Sequence, residues 1–133
     1  DTPGNSRFII TSTAQFVDWR SGQNNNLWQG VNGINNPCPS GFRIPTGAEW
    51  SAEIASWSSQ NDTGAFASPL KLTMAGQRND GAGFFFAGQI GYYWSSTTVT
   101  TKAQALSFSP SNATLSVSGD FRGNGYSIRC IRN

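Results

Sequence analysis

The stretch Ile44-Pro45-Thr46-Gly47-Ala48-Glu49-Trp50 constrains this chain most, because it fixes where an extended segment turns into a helix. Pro45 biases Ile44 towards β or polyproline geometry, so no helix runs through them. Thr46 is a good N-cap and Glu49 stands three residues on, the spacing of a capping box. Trp50, Ile54 and Trp57 follow at i, i+4 and i+7, one apolar face of one helix. The spacing therefore predicts a single main helix near residues 47–58.

At 133 residues the chain is long enough for one domain with a hydrophobic core, and residues 1–133 are read as a single domain. Charged residues make up only 12%, whereas Ser, Thr, Asn and Gln number 47. The nine basic residues are scattered singly from Arg7 to Arg132. Phosphate recognition needs them clustered, so no nucleic-acid partner is expected. Histidine is absent, which removes the usual general base and the commonest metal ligand. No apolar run reaches the 18 residues of a membrane span. Asp1-Thr2-Pro3-Gly4-Asn5 reads as the end of a linker, which favours a domain excised from a larger surface protein. Cys38 and Cys130 are the only cysteines; by themselves they leave a disulfide and two buried free thiols both open.

Short branched and aromatic runs punctuate the rest. Phe8-Ile9-Ile10 and Phe16-Val17 read as strands. Residues 19–36 form an Asn- and Gly-rich loop, anchored by Leu27, Trp28 and Val31, in which Asn32-Gly33 signals a tight turn with positive φ. Asn61-Asp62-Thr63-Gly64 reads as a turn. Residues 70–76, 92–98, 105–108, 113–117 and 125–132 alternate as strands, the last placing Tyr126, Ile128 and Cys130 on one face. Phe84-Phe85-Phe86 is a short apolar run. Many short strands with one early helix predict an α+β domain with a mostly antiparallel sheet and long loops.

Catalytic signals are weak. Nucleophilic Ser or Cys needs an adjacent base, and no Gly-x-Ser-x-Gly occurs. Glu49 and Glu53 share one side of the helix, but Glu49 is explained by capping and Glu53 by a solvated face. No cofactor is required. Calcium is the one metal left open, with Asp18, Asp80 and Asp120 as carboxylate ligands. The same residues are explained equally well as turn formers, and neither an EF-hand loop nor a Glu-Pro-Asn or Gln-Pro-Asp motif is present.

Several motifs occur together in order: Asn26-Leu27-Trp28-Gln29-Gly30-Val31-Asn32-Gly33, Cys38-Pro39-Ser40-Gly41-Phe42-Arg43-Ile44-Pro45-Thr46-Gly47-Ala48-Glu49-Trp50, Tyr92-Tyr93-Trp94-Ser95-Ser96, and Gly125 to Cys130. Over roughly residues 16–132 this pattern resembles the Fibrobacter succinogenes major paralogous domain. Arg-Ile-Pro-Thr-x-Ala-Glu-Trp and the terminal Gly-aromatic-x-x-Arg-Cys are also similar to the formylglycine-generating enzyme superfamily. That resemblance implies a C-type-lectin-like fold, shared with the hypervariable receptor-binding proteins of diversity-generating retroelements. It further implies that Cys38 and Cys130 pair, since they hold the places of the family's bridge, and an oxidising, extracellular or bacterial-surface setting follows. The formylglycine-generating enzymes use a further reactive cysteine pair that this chain lacks, so the resemblance carries fold rather than activity.

Ligand binding is the function expected. Tyr, Ser, Asn and Gly make an adaptable recognition surface, and loops 77–91, 97–104 and 119–125 are rich in such residues. The residues expected to touch ligand are Gln77, Asp80, Gln89, Tyr92, Tyr93, Thr98, Asp120, Arg122 and Asn124. Tyr93 enters this set because, with Trp94 in the core, alternation turns it outward. The expected module is an adhesin-type, non-enzymatic monomer binding a peptide, protein or glycan on another surface. The competing readings are a formylglycine-generating-type oxidative enzyme and a structural spacer.

Overall fold

The computed structural model describes Asp18, Arg20, residues 22–79 and residues 83–133. The strands expected at residues 8–10 and 16–17, and the expected site residue Asp80, lie outside them.

The helix start is built as its residues require. Helix α1 spans Gly47–Ser56, capped by Thr46, whose side chain accepts the Glu49 amide at 3.2 Å. The Glu49 carboxylate accepts the Thr46 amide at 2.8 Å and a bidentate pair of bonds from Arg43 at 2.6 and 2.7 Å. Glu53 is not merely solvated, since it accepts the Trp57 indole N–H at 3.0 Å. A second helix, α2 (Asp62–Ala67), replaces the turn expected at 61–64. Asn61 is its N-cap and accepts the Gly64 amide, so the turn-forming residue starts a helix instead.

The main sheet is antiparallel. Strand β4 (Gly91–Val99) pairs with β5 (Lys102–Phe108), whose far edge is shared by β6 (Ala113–Leu115) and β7 (Asp120–Phe121). A register shift between Trp94 and Thr98 bulges β4 towards the helix start. There the Ser96 amide donates to Pro45 O at 2.8 Å and the Gly47 amide to Thr97 Oγ1 at 2.9 Å. The Trp50 indole completes the join by donating to Trp94 O at 3.1 Å. Two small ladders flank this sheet: β1 (Phe42–Arg43) with β8 (Ile131–Arg132), and β2 (Gln77–Arg78) with β3 (Phe84–Phe85).

Both faces of the sheet are covered. On one, Trp50, Ile54, Trp57, Ala65 and Leu72 pack against Tyr93, Leu106 and Phe108. On the other, Trp28 and Tyr126 lie over Trp94, Ala103 and Ala105. The two alanines leave room for those large rings.

Two expected strands are not formed as such. Residues 70–76 only reach a single bridge, Gly76 to Gly91. The tail forms a two-residue strand at Ile131–Arg132, because earlier residues serve different partners: Gly125 bonds Arg78 and Ser127 bonds Tyr92 and Trp94. Gly33 does not take the expected positive φ. It is glycine because a Cβ there would stand 2.8 Å from Leu27 O and 2.9 Å from Gln29 N. Cys38 and Cys130 form a disulfide with a Cα–Cα distance of 5.7 Å.

Candidate functional site

Alternation along β4 sorts the expected site residues. Tyr93 does not face outward. It is buried with Trp50 and Phe108, and its hydroxyl accepts the Thr73 amide at 2.9 Å and donates to Thr73 O at 3.1 Å. Alternation does turn Tyr93 away from Trp94, but this sheet has a core on each face, so that turn leads into the second core.

Tyr92 shares the Trp94 face. Tyr126 stacks on both, with ring centroids 4.8 Å from Tyr92 and 4.3 Å from Trp94. Asn124 donates to the Tyr126 hydroxyl at 3.3 Å. Burial, reinforced by the nearby Asp120 carboxylate, pushes the Tyr126 hydroxyl well above the usual phenol range and raises Tyr92 in the same way. Both phenols therefore stay protonated donors beside that carboxylate. Thr98 lies half-buried on the same face, opposite Ala103, which also pairs with Asp120.

Arg122 is held inward by its own partners. It donates to Asn25 Oδ1 at 2.6 Å, Lys102 O at 3.0 Å and Thr100 O at 3.3 Å, and meets Asp18 at 3.6 Å. Burial lowers its pKa, with Asp18 opposing. It clamps the β4–β5 turn, where Thr100 sits at φ 48, an uncommon conformation for a β-branched residue. Asp18 and Asp120 thus serve different neighbours, and among the described residues no three His, Cys, Asp or Glu side chains converge on a metal position.

Gln77 and Gln89 frame the Gln77–Arg78 and Phe84–Phe85 hairpin, β2 and β3. Its register has a consequence for the free edge. The Asn79 amide bonds Gly83 O, which makes Asn79/Gly83 and Gln77/Phe85 the bonded pairs. Arg78 and Phe84 then turn their main-chain groups outward. Arg78 meets Gly125 through bonds of 2.9 and 2.6 Å, tying the hairpin to the Asn124–Tyr126 segment. Phe84 faces the open side, and no strand pairs beyond β3 among the described residues.

Phe84, Phe85 and Phe86 are 76%, 45% and 42% exposed. The Arg78 guanidinium lies 4.8 Å from the Phe84 ring centre. Phe86 sits at φ 60, with its carbonyl accepting the Gln89 and Ile90 amides. Three consecutive aromatics cannot alternate into one core, a signal that the sequence carries and that the expected site residues omit. Trp28, Asn25 and Tyr126 are the other omissions. Their part depends on long-range docking, which local pattern does not encode.

A cleft of about 540 Å3 lies elsewhere, lined by α2 and residues 71–74, including Phe66, Lys71 and Met74. None of the expected site residues lines it. No protein-family model matches the chain, and no curated protein or solved structure is detectably similar to it.

Proposed function

We propose that this chain is a non-enzymatic ligand-binding module with a C-type-lectin-like fold of the Fibrobacter succinogenes major paralogous kind. It works outside the cell or on a bacterial surface and recognises a peptide, protein or glycan displayed on another surface. The observation that carries the reading is the exposure of Phe84, Phe85 and Phe86 on a hairpin anchored to the Asn124–Tyr126 segment. Three adjacent exposed rings are an unusual solvent face for a small domain and mark an interaction surface. Phe86 also keeps a left-handed backbone, the kind of local strain that collects at binding sites. Gln77 stands opposite Phe85 in that hairpin, and Asn124 precedes the Gly125 that bonds Arg78, so both bring short polar groups to the same region. Both cysteines are joined in the disulfide, which supports binding over the oxidative chemistry of formylglycine-generating enzymes. The disulfide also supports the extracellular setting, and no helix among the described residues is long and apolar enough to cross a membrane.

Glycan and peptide arrays, run with and without calcium, would identify the ligand. Phe84→Ala with Phe85→Ala should then weaken binding by about 2 kcal/mol or more, on the order of thirtyfold. The thermal midpoint should move little by comparison, because neither ring belongs to a core cluster and Phe84 is 76% exposed. Parent-like binding by this variant, together with loss of binding in Phe66→Ala, would place the site at the α2 cleft instead.

A further inference from the structure

The chain contains two Asn-Gly pairs, Asn32-Gly33 and Asn124-Gly125. Asn-Gly is the dipeptide most prone to spontaneous deamidation, because glycine leaves the following amide nitrogen unhindered. That nitrogen attacks the asparagine Cγ and gives up its proton to water, and ammonia leaves as a five-membered succinimide closes. Water then opens either imide carbonyl, giving aspartate or isoaspartate. No oxidant or enzyme takes part.

The fold treats the two pairs differently. At the second, the attacking group is occupied: the Gly125 amide donates to Arg78 O at 2.6 Å. The Asn124 side chain is also engaged, donating to Tyr126 Oη at 3.3 Å. At the first, Asn32 is exposed, and among the described residues neither its side-chain amide nor the Gly33 N–H has a hydrogen-bond partner. Nucleophile and electrophile are both free at Asn32 and both tied at Asn124.

We infer that Asn32 is a built-in self-modification site, and that its conversion to isoaspartate unseats the loop that holds Trp28. Isoaspartate adds one carbon to the main chain and a negative charge. This loop has little slack for either. The Asn35 amide bonds Leu27 O at 2.9 Å, the Asn36 amide bonds Gly33 O at 3.0 Å, and Asn36 Nδ2 reaches Val31 O at 3.3 Å. Gly33 itself abuts the main chain of Leu27 and Gln29. Lengthening the chain at residue 32 shifts those bonds out of register. Trp28, which packs over Trp94 and the two alanines beneath, lies inside the same closed loop.

The test is to age the folded protein at mildly alkaline pH in oxygen-18 water, then reduce, digest with trypsin and map by mass spectrometry. Asn124 falls in the peptide 123–129 and Asn32 in the peptide 21–43, so the two sites separate. Label should enter at Asn32 faster than at Asn124 by on the order of tenfold or more, since the hydrogen bonds at Asn124 must open first. In denaturant both sites should convert at similar rates. Equal rates in the folded protein, or an Asn32 that stays intact when folded while converting in denaturant, would overturn the site assignment. The isoaspartate fraction should show red-shifted tryptophan emission and a lower thermal midpoint than the parent. The Asn32→Gln variant, which closes the ring far more slowly, should keep the parent's emission through the same ageing. Parent-like emission and midpoint in the isoaspartate fraction would overturn the unseating of Trp28.

Discussion

The Glu49 carboxylate serves the Thr46 main-chain amide and the Arg43 guanidinium at once. The Arg43 hydrogen bonds, opposed by burial and assisted by Thr46, bring its pKa down from 4.5 to about 2. A carboxyl group depressed on folding adds stability that is fully present above its unfolded pKa and is lost as pH falls through its folded pKa. The window therefore runs from about pH 4.5 down to about 2. The Glu49 side chain is 39% exposed, so solvent screening keeps the effect modest. Thermal midpoints followed across that window should fall more steeply for the parent than for Glu49→Gln, and parallel acid limbs would refute the assignment. Tyr93 offers a second check at this scale. With its ring in the helix-side core, Tyr93→Ala should cost about 3–5 kcal/mol through the cavity left behind. Tyr93→Phe should cost only about 1 kcal/mol, the net worth of the hydroxyl's bonds to Thr73. An alanine variant as stable as the parent would put the ring outside the core.

Among the elements, β4 and β5 show how close packing fixes residue choice. Gly91 stands opposite Phe108, and a Cβ on residue 91 would lie 2.3 Å from the Phe108 ring. Gly91→Ala should therefore destabilise by about 1–3 kcal/mol as the ring is pushed off its rotamer. A denaturation midpoint equal to the parent's would show that Phe108 can yield freely. Elements whose signals are local were legible in the sequence. The Thr46–Glu49 box and the Trp50, Ile54, Trp57 spacing mark α1, and period-two alternation marks β4, β5 and β6. The misses have long-range causes. Asn61 looks like a turn former and caps α2 because Ala65 and Leu72 have a core to enter. The tail alternates like a strand, yet its hydrogen bonds are divided among Arg78, β4 and the Phe42–Arg43 ladder. The local geometry of the candidate site was legible in part. Tyr92, Asp120 and Asn124 lie near one ring, Tyr126, which period-two alternation reads only as a strand-face residue. Tyr93 was misplaced because alternation cannot say how many cores a sheet has.

At the scale of the whole molecule, one covalent bond joins the segment before α1 to the end of the chain. The strands beside it are slight: Phe42–Arg43 and Ile131–Arg132 pair over only two residues each. Cys38 and Cys130 are 92 positions apart, so their bridge constrains most of the domain in the unfolded state. On the loop-entropy account a closure of that length stabilises by about 4–5 kcal/mol, less any native strain. That is a large share of the roughly 5–15 kcal/mol by which domains of this kind resist unfolding. Reduction should act at a distance from both sulfurs. Loosening the tail withdraws Tyr126 from its stack on Tyr92 and Trp94, and it frees the Ser127 bonds along the edge of β4. The reduced protein should therefore unfold at a markedly lower temperature, with altered aromatic circular dichroism even below its midpoint. Intact-mass measurement after alkylation should find no modified thiol in the native protein and two after reduction. Two thiols that alkylate freely without reductant would mean that the bridge is absent in solution, and that the tail is held by its short ladder and aromatic packing alone.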